Sequence, residues 1–297
     1  MVYVINCIRL KQGGVYLFSI IGGDKRNANL KHLLEEDGHS VKAYGFSKYK
    51  ESIVENTSNL EDAVEGSKYI IAGIPFTSDN NLIVSPFSNM NIRAEDLINT
   101  LSSEQILIAG AINKEIYKMA EDRNISILDI LKHEQMSLLN AIPTAEGVIK
   151  IIIEETDITI SGSNVMVIGY GRIGKILCKM LNGMGANVSV VVNTYISKAE
   201  AEGLGQKVIM YDDINSYLPD MNTIVNTVPS TVIDKNNFIY IQETSLVVDI
   251  ASPPFGVNYG DSKNYSIKVL WARSLPGKVA AKSAAMYIRD TIYAMTL

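Results

Sequence analysis

Histidine is nearly missing from this chain, and the few present sit in one half. His32, His39 and His133 are the only three in 297 residues. All precede the glycine-rich stretch described below, so an imidazole from the second half, the usual proton carrier of a hydroxy-acid dehydrogenase, is excluded. Cysteine is scarcer still. Cys7 and Cys178 are too few and too far apart for a disulfide framework or a metal cluster. They read as two reduced, buried thiols of a cytosolic protein, and no metal site is expected. No apolar run approaches the roughly 18 residues of a membrane span. The short apolar start Met1–Ile8 has no basic region before it, so no secretory signal is expected. No long basic run occurs, and 27 Lys+Arg stand against 32 Asp+Glu, which argues against nucleic acid as the main partner. Nucleophile-elbow, P-loop and Cys/His metal spacings are also lacking.

What is present is apolar and periodic. Hydrophobic residues make up 47% of the chain, enough to build one large domain or two ordinary ones. Val165-Met166-Val167-Ile168 suits a buried parallel strand and runs into Gly169-Tyr170-Gly171-Arg172-Ile173-Gly174, which fits G-x-G-x-x-G. Gly169 permits the tight turn, Gly171 lets a pyrophosphate reach the backbone, and Gly174 lets the following helix pack on the strand. The helix N-terminus favours the anion. A second strand, Val188–Val192, follows at the spacing the motif requires. Asn193 then stands 19 residues beyond Gly174, where an NAD-binding domain usually carries an acid for the ribose 2′-hydroxyl. With Asn193, Thr194, Ser197 and Lys198 there instead, repulsion toward a 2′-phosphate is removed, and NADP is favoured over NAD. Lys198 also reads as a plain solvated helix residue.

Taken in order, residues Met1–Gly14 fit nothing that follows and read as an extra strand or an overlong start. Val15–Ile21 then opens a series of short apolar segments, at 41–44, 69–72, 105–109 and 125–128, separated by polar or helix-forming stretches. That alternation predicts a parallel α/β domain with ligands at the carboxyl ends of its strands. Gly22-Gly23-Asp24 is such an end. It reads equally as a turn with a helix cap at Asp24 and, with Lys25 and Arg26, as a carboxylate site. Glu134–Glu155 predicts a long connecting helix, interrupted at Pro143, with a fresh start near Thr144. Glu146 then falls either in a dipole-favoured first turn or in a cleft where it meets substrate. Further strands are expected at 207–210, 223–225, 245–249 and 267–270. Two of their ends, Asn226-Thr227-Val228-Pro229-Ser230 and Asp249-Ile250-Ala251-Ser252-Pro253-Pro254, should share the sheet edge with the glycine loop and hold a nicotinamide and its substrate. Leu275-Pro276-Gly277-Lys278-Val279-Ala280-Ala281-Lys282 opens a closing helix through Met295, with Lys278 and Lys282 one turn apart on one face.

These segments together resemble the A-type subunit of bacterial dipicolinate synthase, from about Val15 to the end. The resemblance rests on Ile20-Ile21-Gly22-Gly23-Asp24 with a basic residue after it, Ile142-Pro143-Thr144-Ala145-Glu146-Gly147, the glycine loop, Asn226–Ser230, Asp249–Ser252 and Leu275–Ala280. The loop is generic, whereas the Pro-Thr-Ala-Glu-Gly and Leu-Pro-Gly segments are far more specific. Two departures stand out. Members of that family often follow Ala-Ser with a basic residue and Pro-Gly-Gly, where this chain has Pro253-Pro254-Phe255-Gly256, and Ala281 stands where proline is common. No cation is therefore expected from position 253.

The resemblance implies two Rossmann-like α/β domains with parallel sheets, joined by long connecting helices and similar to hydroxy-acid dehydrogenases. The expected bounds are 1–137 for a substrate domain, 138–156 for the connecting helix and 157–277 for the dinucleotide domain, with a helix from about 278 to 297 packing back on the first. It also implies an enzyme of spore formation in the mother-cell cytoplasm. Such an enzyme oxidises hydroxy-tetrahydrodipicolinate, or its dehydrated form, to pyridine-2,6-dicarboxylate with NADP, NAD being the other option. The implied partner is the synthase's flavoprotein-like B-type subunit, and a homo-oligomer is the default for such enzymes. Candidate catalytic groups are Glu146 and Lys282. Candidate substrate contacts are Gly23, Asp24, Arg26, Thr144, Ser252 and Lys278. The cofactor falls to Gly169–Gly174, Asn193, Thr194, Lys198, Thr227, Val228, Pro229, Ala251 and Ser252. Another imino- or hydroxy-acid dehydrogenase, or a cofactor-binding scaffold for a catalytic partner, remains the alternative.

Overall fold

A computed structural model describes residues 14–50, 54–78 and 81–296. Cys7 and all of the unassigned start but Gly14 lie outside the described residues. The chain divides into two compact units: residues up to Met136 with the segment from Ala281 onward, and Ser137–Ala280.

The first unit carries β1 (Leu17–Ile21), α1 (Lys25–Glu36), β2 (Ser40–Tyr44), α2 (Leu60–Val64), β3 (Tyr69–Ala72), α3 (Ala94–Thr100), β4 (Ile106–Ala109), α4 (Lys114–Glu121) and β5 (Ser126–Asp129). Its five strands are parallel in the order β2-β1-β3-β4-β5. Runs such as Tyr69-Ile70-Ile71-Ala72 are apolar on both faces because helices cover both sides of such a sheet. α1 starts where Asp24 accepts the Arg26 N–H.

α5 (Glu134–Glu155) begins in this unit and continues into the second. The second unit then adds β6 (Asn164–Ile168), α6 (Arg172–Gly183), β7 (Asn187–Val192), α7 (Tyr195–Gly203), β8 (Lys207–Met210), β9 (Thr223–Asn226), α8 (Lys235–Phe238), β10 (Leu246–Asp249), α9 (Tyr259–Ser262), β11 (Lys268–Trp271) and α10 (Leu275–Val279). Its six parallel strands run β11-β10-β9-β6-β7-β8, the doubly wound order of a Rossmann domain. α11 (Ala281–Thr296) belongs to the first unit, where Ala285, Ile288 and Ile292 join Leu30, Leu33 and Leu34 in one apolar cluster. The fold is thus the expected pair of parallel α/β units.

Three expectations need correction. α5 is one unbroken helix of 22 residues with Pro143 inside it. An interior proline costs about 3 kcal/mol, but burial of Ala145, Val148 and Ile152 in the second unit's core offsets that. Glu146 is therefore mid-helix, and its first-turn reading falls. Second, the closing helix is split. Ala280 leaves helical geometry at φ −143, ψ 50, so Lys278 ends α10 while Lys282 opens α11. The two lysines share no helical face and belong to different units. Third, α5 is long and apolar enough by composition to cross a membrane, although no such segment was expected. Ala145, Val148 and Ile152 face the core, whereas Leu138 and Ile153 are exposed along with the charged Glu146 and Lys150.

Candidate dinucleotide site and strand-end loops

The carboxyl ends of β6, β9 and β10 lie level, with Ile168 opposite Asn226 and Asn226 opposite Asp249. The strand order reverses between β6 and β9, so a dinucleotide crevice belongs there. Gly169 turns out of β6 at φ +97, and a Cβ on it would stand 2.5 Å from Thr227 Oγ1. A Cβ on Gly174 would stand 2.2 Å from the Gly169 carbonyl oxygen, so glycine is what lets α6 close on β6. Around Gly171 the same construction meets nothing within 4 Å. Gly171 caps α6 without a side-chain acceptor, which leaves the first-turn N–H groups to an incoming anion. The loop fits a pyrophosphate: two glycines are packed tight and the third faces open space. Thr227 donates Oγ1–H to the Ile168 carbonyl at 2.9 Å, tying the β9 end to the β6 end. Tyr170 is half-buried, and burial pushes its phenol above the ordinary value.

At the β7 end, Asn193 and Thr194 are exposed. Thr194 caps α7, its hydroxyl accepting the Ser197 N–H at 3.1 Å and pairing with Ser197 Oγ at 2.9 Å. Lys198 lies 3.8 Å from Glu202, one turn on. Lys175 reaches Glu200 from α6.

The β10 end holds what sequence reasoning missed. Asp249 is fully buried. Its carboxylate accepts from Asn226 Nδ2 (2.8 Å) and from the backbone N–H groups of Ala251 (3.1 Å), Gly256 (3.0 Å) and Val257 (3.1 Å). Four donors compensate a buried charge, and together they fold the 250–257 loop back onto its own strand. Val228 is held likewise, its N–H donating to Asn226 Oδ1. The signal was a polar residue closing each of two apolar strands. Ala251 is buried, whereas Ser252 and Pro229 are exposed.

The remaining candidates are dispersed. Glu146 is exposed on α5 and has no ion pair among the described residues. Thr144 is buried, with its hydroxyl donated to the Asn140 carbonyl at 2.7 Å. Lys278 and Lys282 are exposed. A Cβ on Gly147 would stand 2.8 Å from Leu275 Cβ, so the two most specific sequence segments pack directly on each other. In the first unit, Gly23 donates its N–H to Val84 O. Arg26 is 3% exposed, forked onto Asp24 at 2.9 Å and bonded to the Ile74 carbonyl. Its charge is matched inside the protein, so a substrate carboxylate would have to displace Asp24. Two surface depressions, about 810 and 500 Å³, lie at the amino-terminal edges of the sheets. They contain none of these residues. Among the described residues no group of three or more His, Cys, Asp or Glu could hold a metal.

Fold and glycine loop define the class: a two-unit α/β protein of the dehydrogenase kind, with a nicotinamide-dinucleotide unit. Residues 140–274 match the NAD-binding domain of S-adenosyl-L-homocysteine hydrolase, and residues 17–131 match the N-terminal domain of the dipicolinate synthase A-type subunit. The A-type subunit of dipicolinate synthase from Bacillus subtilis is 25% identical over 277 residues, covering 92% of this chain and 93% of that protein. The crystal structure of its Bacillus halodurans counterpart superposes with a TM-score of 0.86 at 26% identity, covering 95% of this chain and 99% of that one. The chain is a relative of these dipicolinate synthase A-type subunits. D-lactate dehydrogenase of Escherichia coli, with a TM-score of 0.61 at 12% identity over 94% of this chain and 96% of its own, shares the fold.

Proposed function

We propose that the protein is an NADP-dependent oxidoreductase that forms pyridine-2,6-dicarboxylate from hydroxy-tetrahydrodipicolinate or its dehydrated form. The observation that carries this reading is the paired set of packed glycines beside an open Gly171, at the reversal point of the six-stranded sheet. Its relatives supply the substrate class. When bound, the nicotinamide supplies a two-electron hydride acceptor. Loss of the ring hydroxyl as water gives a dihydropyridine, and removal of one hydride and one proton then leaves the aromatic ring. Glu146, exposed and uncommitted in the unit that carries the glycine loop, takes the proton in this reading. Lys278 offers a cation to a substrate carboxylate. The lack of an acid at Asn193 and the hydroxyls of Thr194 and Ser197 at the start of α7 support NADP. By analogy with its relatives the enzyme works with a second, flavoprotein-like subunit in the mother-cell cytoplasm of a sporulating cell.

The assay supplies freshly made hydroxy-tetrahydrodipicolinate and NADP, with and without the second subunit. Dipicolinate should form with matching NADPH. Folded protein that yields none under either condition would sink the reading. Tighter binding of NAD than of NADP in a direct titration would reverse the cofactor choice. Lys282→Ala, in the other unit, tests that residue separately.

A further inference from the structure

The carboxyl edge of β10 and β11 bears an aromatic cluster with one cation on it. Trp271, the last residue of β11 and the only tryptophan in the chain, is 39% exposed. Phe255 meets it edge-on with ring centroids 4.3 Å apart, and Tyr259 stands 6.4 Å from both rings. The Arg273 guanidinium lies over the Trp271 ring at 4.5 Å. Arg273 is exposed, and among the described residues no carboxylate pairs with it.

Three observations make this a built feature. The Asp249 carboxylate holds the N–H groups of Gly256 and Val257, which pins Phe255 at φ 69. A bulky residue in the left-handed region persists only when its surroundings over-determine it. Ser274, directly after Arg273, is left-handed as well, at φ 54. Finally, the Tyr259 hydroxyl is buried with no hydrogen-bond partner among the described residues, an arrangement that in a folded protein calls for an explanation.

A guanidinium stacked on an indole spends its face and keeps its N–H edge. That edge is a planar fork of donors matched to a carboxylate. Its position in the sheet points the same way. In a doubly wound sheet the dinucleotide spans both halves, and the β6–β8 half holds the ribose-recognising turn at Asn193. The β9–β11 half therefore receives the nicotinamide and whatever reacts with it. We infer that Arg273, stacked on Trp271 and backed by Phe255, is a preorganised clamp for one carboxylate of a planar ring substrate. This rests on the reading of a ring dicarboxylate as substrate, and it adds the residue that binds it.

Trp271 makes the test direct, since its emission reports from inside the proposed site. Wild-type protein is titrated with pyridine-2,6-dicarboxylate, pyridine-2-carboxylate and pyridine, exciting only the tryptophan. Both carboxylates should change the emission saturably and pyridine should not. Arg273→Ala should weaken dicarboxylate binding roughly tenfold or more, with Arg273→Lys in between, because a point charge replaces a fork. NADPH affinity should stay unchanged in both. The clamp is overturned if Trp271 ignores the carboxylates, if Arg273→Ala binds them as wild type does, or if the variant loses NADPH instead. A Trp271 response without turnover would sink the proposed reaction and keep the clamp. Turnover with a silent Trp271 would do the reverse.

Discussion

Both units are open parallel sheets with a strand-order reversal, yet they treat the resulting crevice in opposite ways. In the first, the reversal lies between β1 and β3, and Arg26 and Asn27 of α1 reach across it to the carbonyls of Ile74 and Ala72. In the second, it lies between β6 and β9, and the residue that caps α6 there is Gly171, with open space around it. One crevice is filled by side chains of its opening helix; in the other Thr227 joins the strand ends, and the glycine that caps the helix faces open space. Topology alone nominates both as ligand sites. The residues that open each helix decide which one remains available.

The sharpest way to break this contrast is Gly174→Val. Its side chain must overlap the Gly169 carbonyl, so α6 is pushed off β6. Thermal unfolding should report a loss of about 3 kcal/mol, and titration with a reduced nicotinamide dinucleotide should find binding abolished. Arg26→Met tests the closed crevice. Breaking a buried ion pair costs about 3–5 kcal/mol, so a fall of roughly 3 kcal/mol, with dinucleotide binding intact, is expected. A variant of normal stability that binds dicarboxylate poorly would return Arg26 to the substrate site.

Cys178 gives a pH-dependent version of the test, because it lies in the second unit's core. Burial pushes its thiol up from 9.0 to about 12. The unfolded chain therefore releases this proton first, so the thiol costs nothing below pH 9 and stability falls as pH rises from 9 toward 12. The loss should approach about 1.4 kcal/mol per pH unit within that window. Denaturant midpoints at pH 8, 9 and 10 measure it, and Cys178→Ala should flatten the slope. The smallest structural change expected is Gly171→Ala. Its Cβ meets open space, so stability should shift by less than about 0.5 kcal/mol. Dinucleotide affinity should nonetheless fall, which separates the fold's need for glycine from the ligand's.

Much of the architecture was legible beforehand. Runs such as Val165–Ile168 and Leu246–Val248 are apolar on both faces, as a buried parallel strand requires. The glycine loop was readable because each of its glycines answers a separate steric demand. Pro143 misled because a local helix-breaking preference was set against burial of Ala145, Val148 and Ile152, which only the packed core reveals. Ala280 misled in the opposite sense, since alanine carries no sign of a break. The fate of Arg26 depends on a carbonyl 48 residues away, and that of Asp249 on a loop that returns to it. Neither can be read from neighbours in sequence.

The position of α11 has a consequence for how the molecule is made. Ala284, Ala285, Ile288 and Ile292 are buried in the first unit, yet the whole of Ser137–Ala280 is synthesised before them. The dinucleotide unit is in effect an insertion in the sequence of its host, whose last wall comes from the final helix. Until α11 emerges, the apolar side of α1, with Leu30, Leu33 and Leu34, has no cover from it. A released chain ending at Ala280 should therefore leave the first unit open to proteases, which limited proteolysis beside the full chain would show.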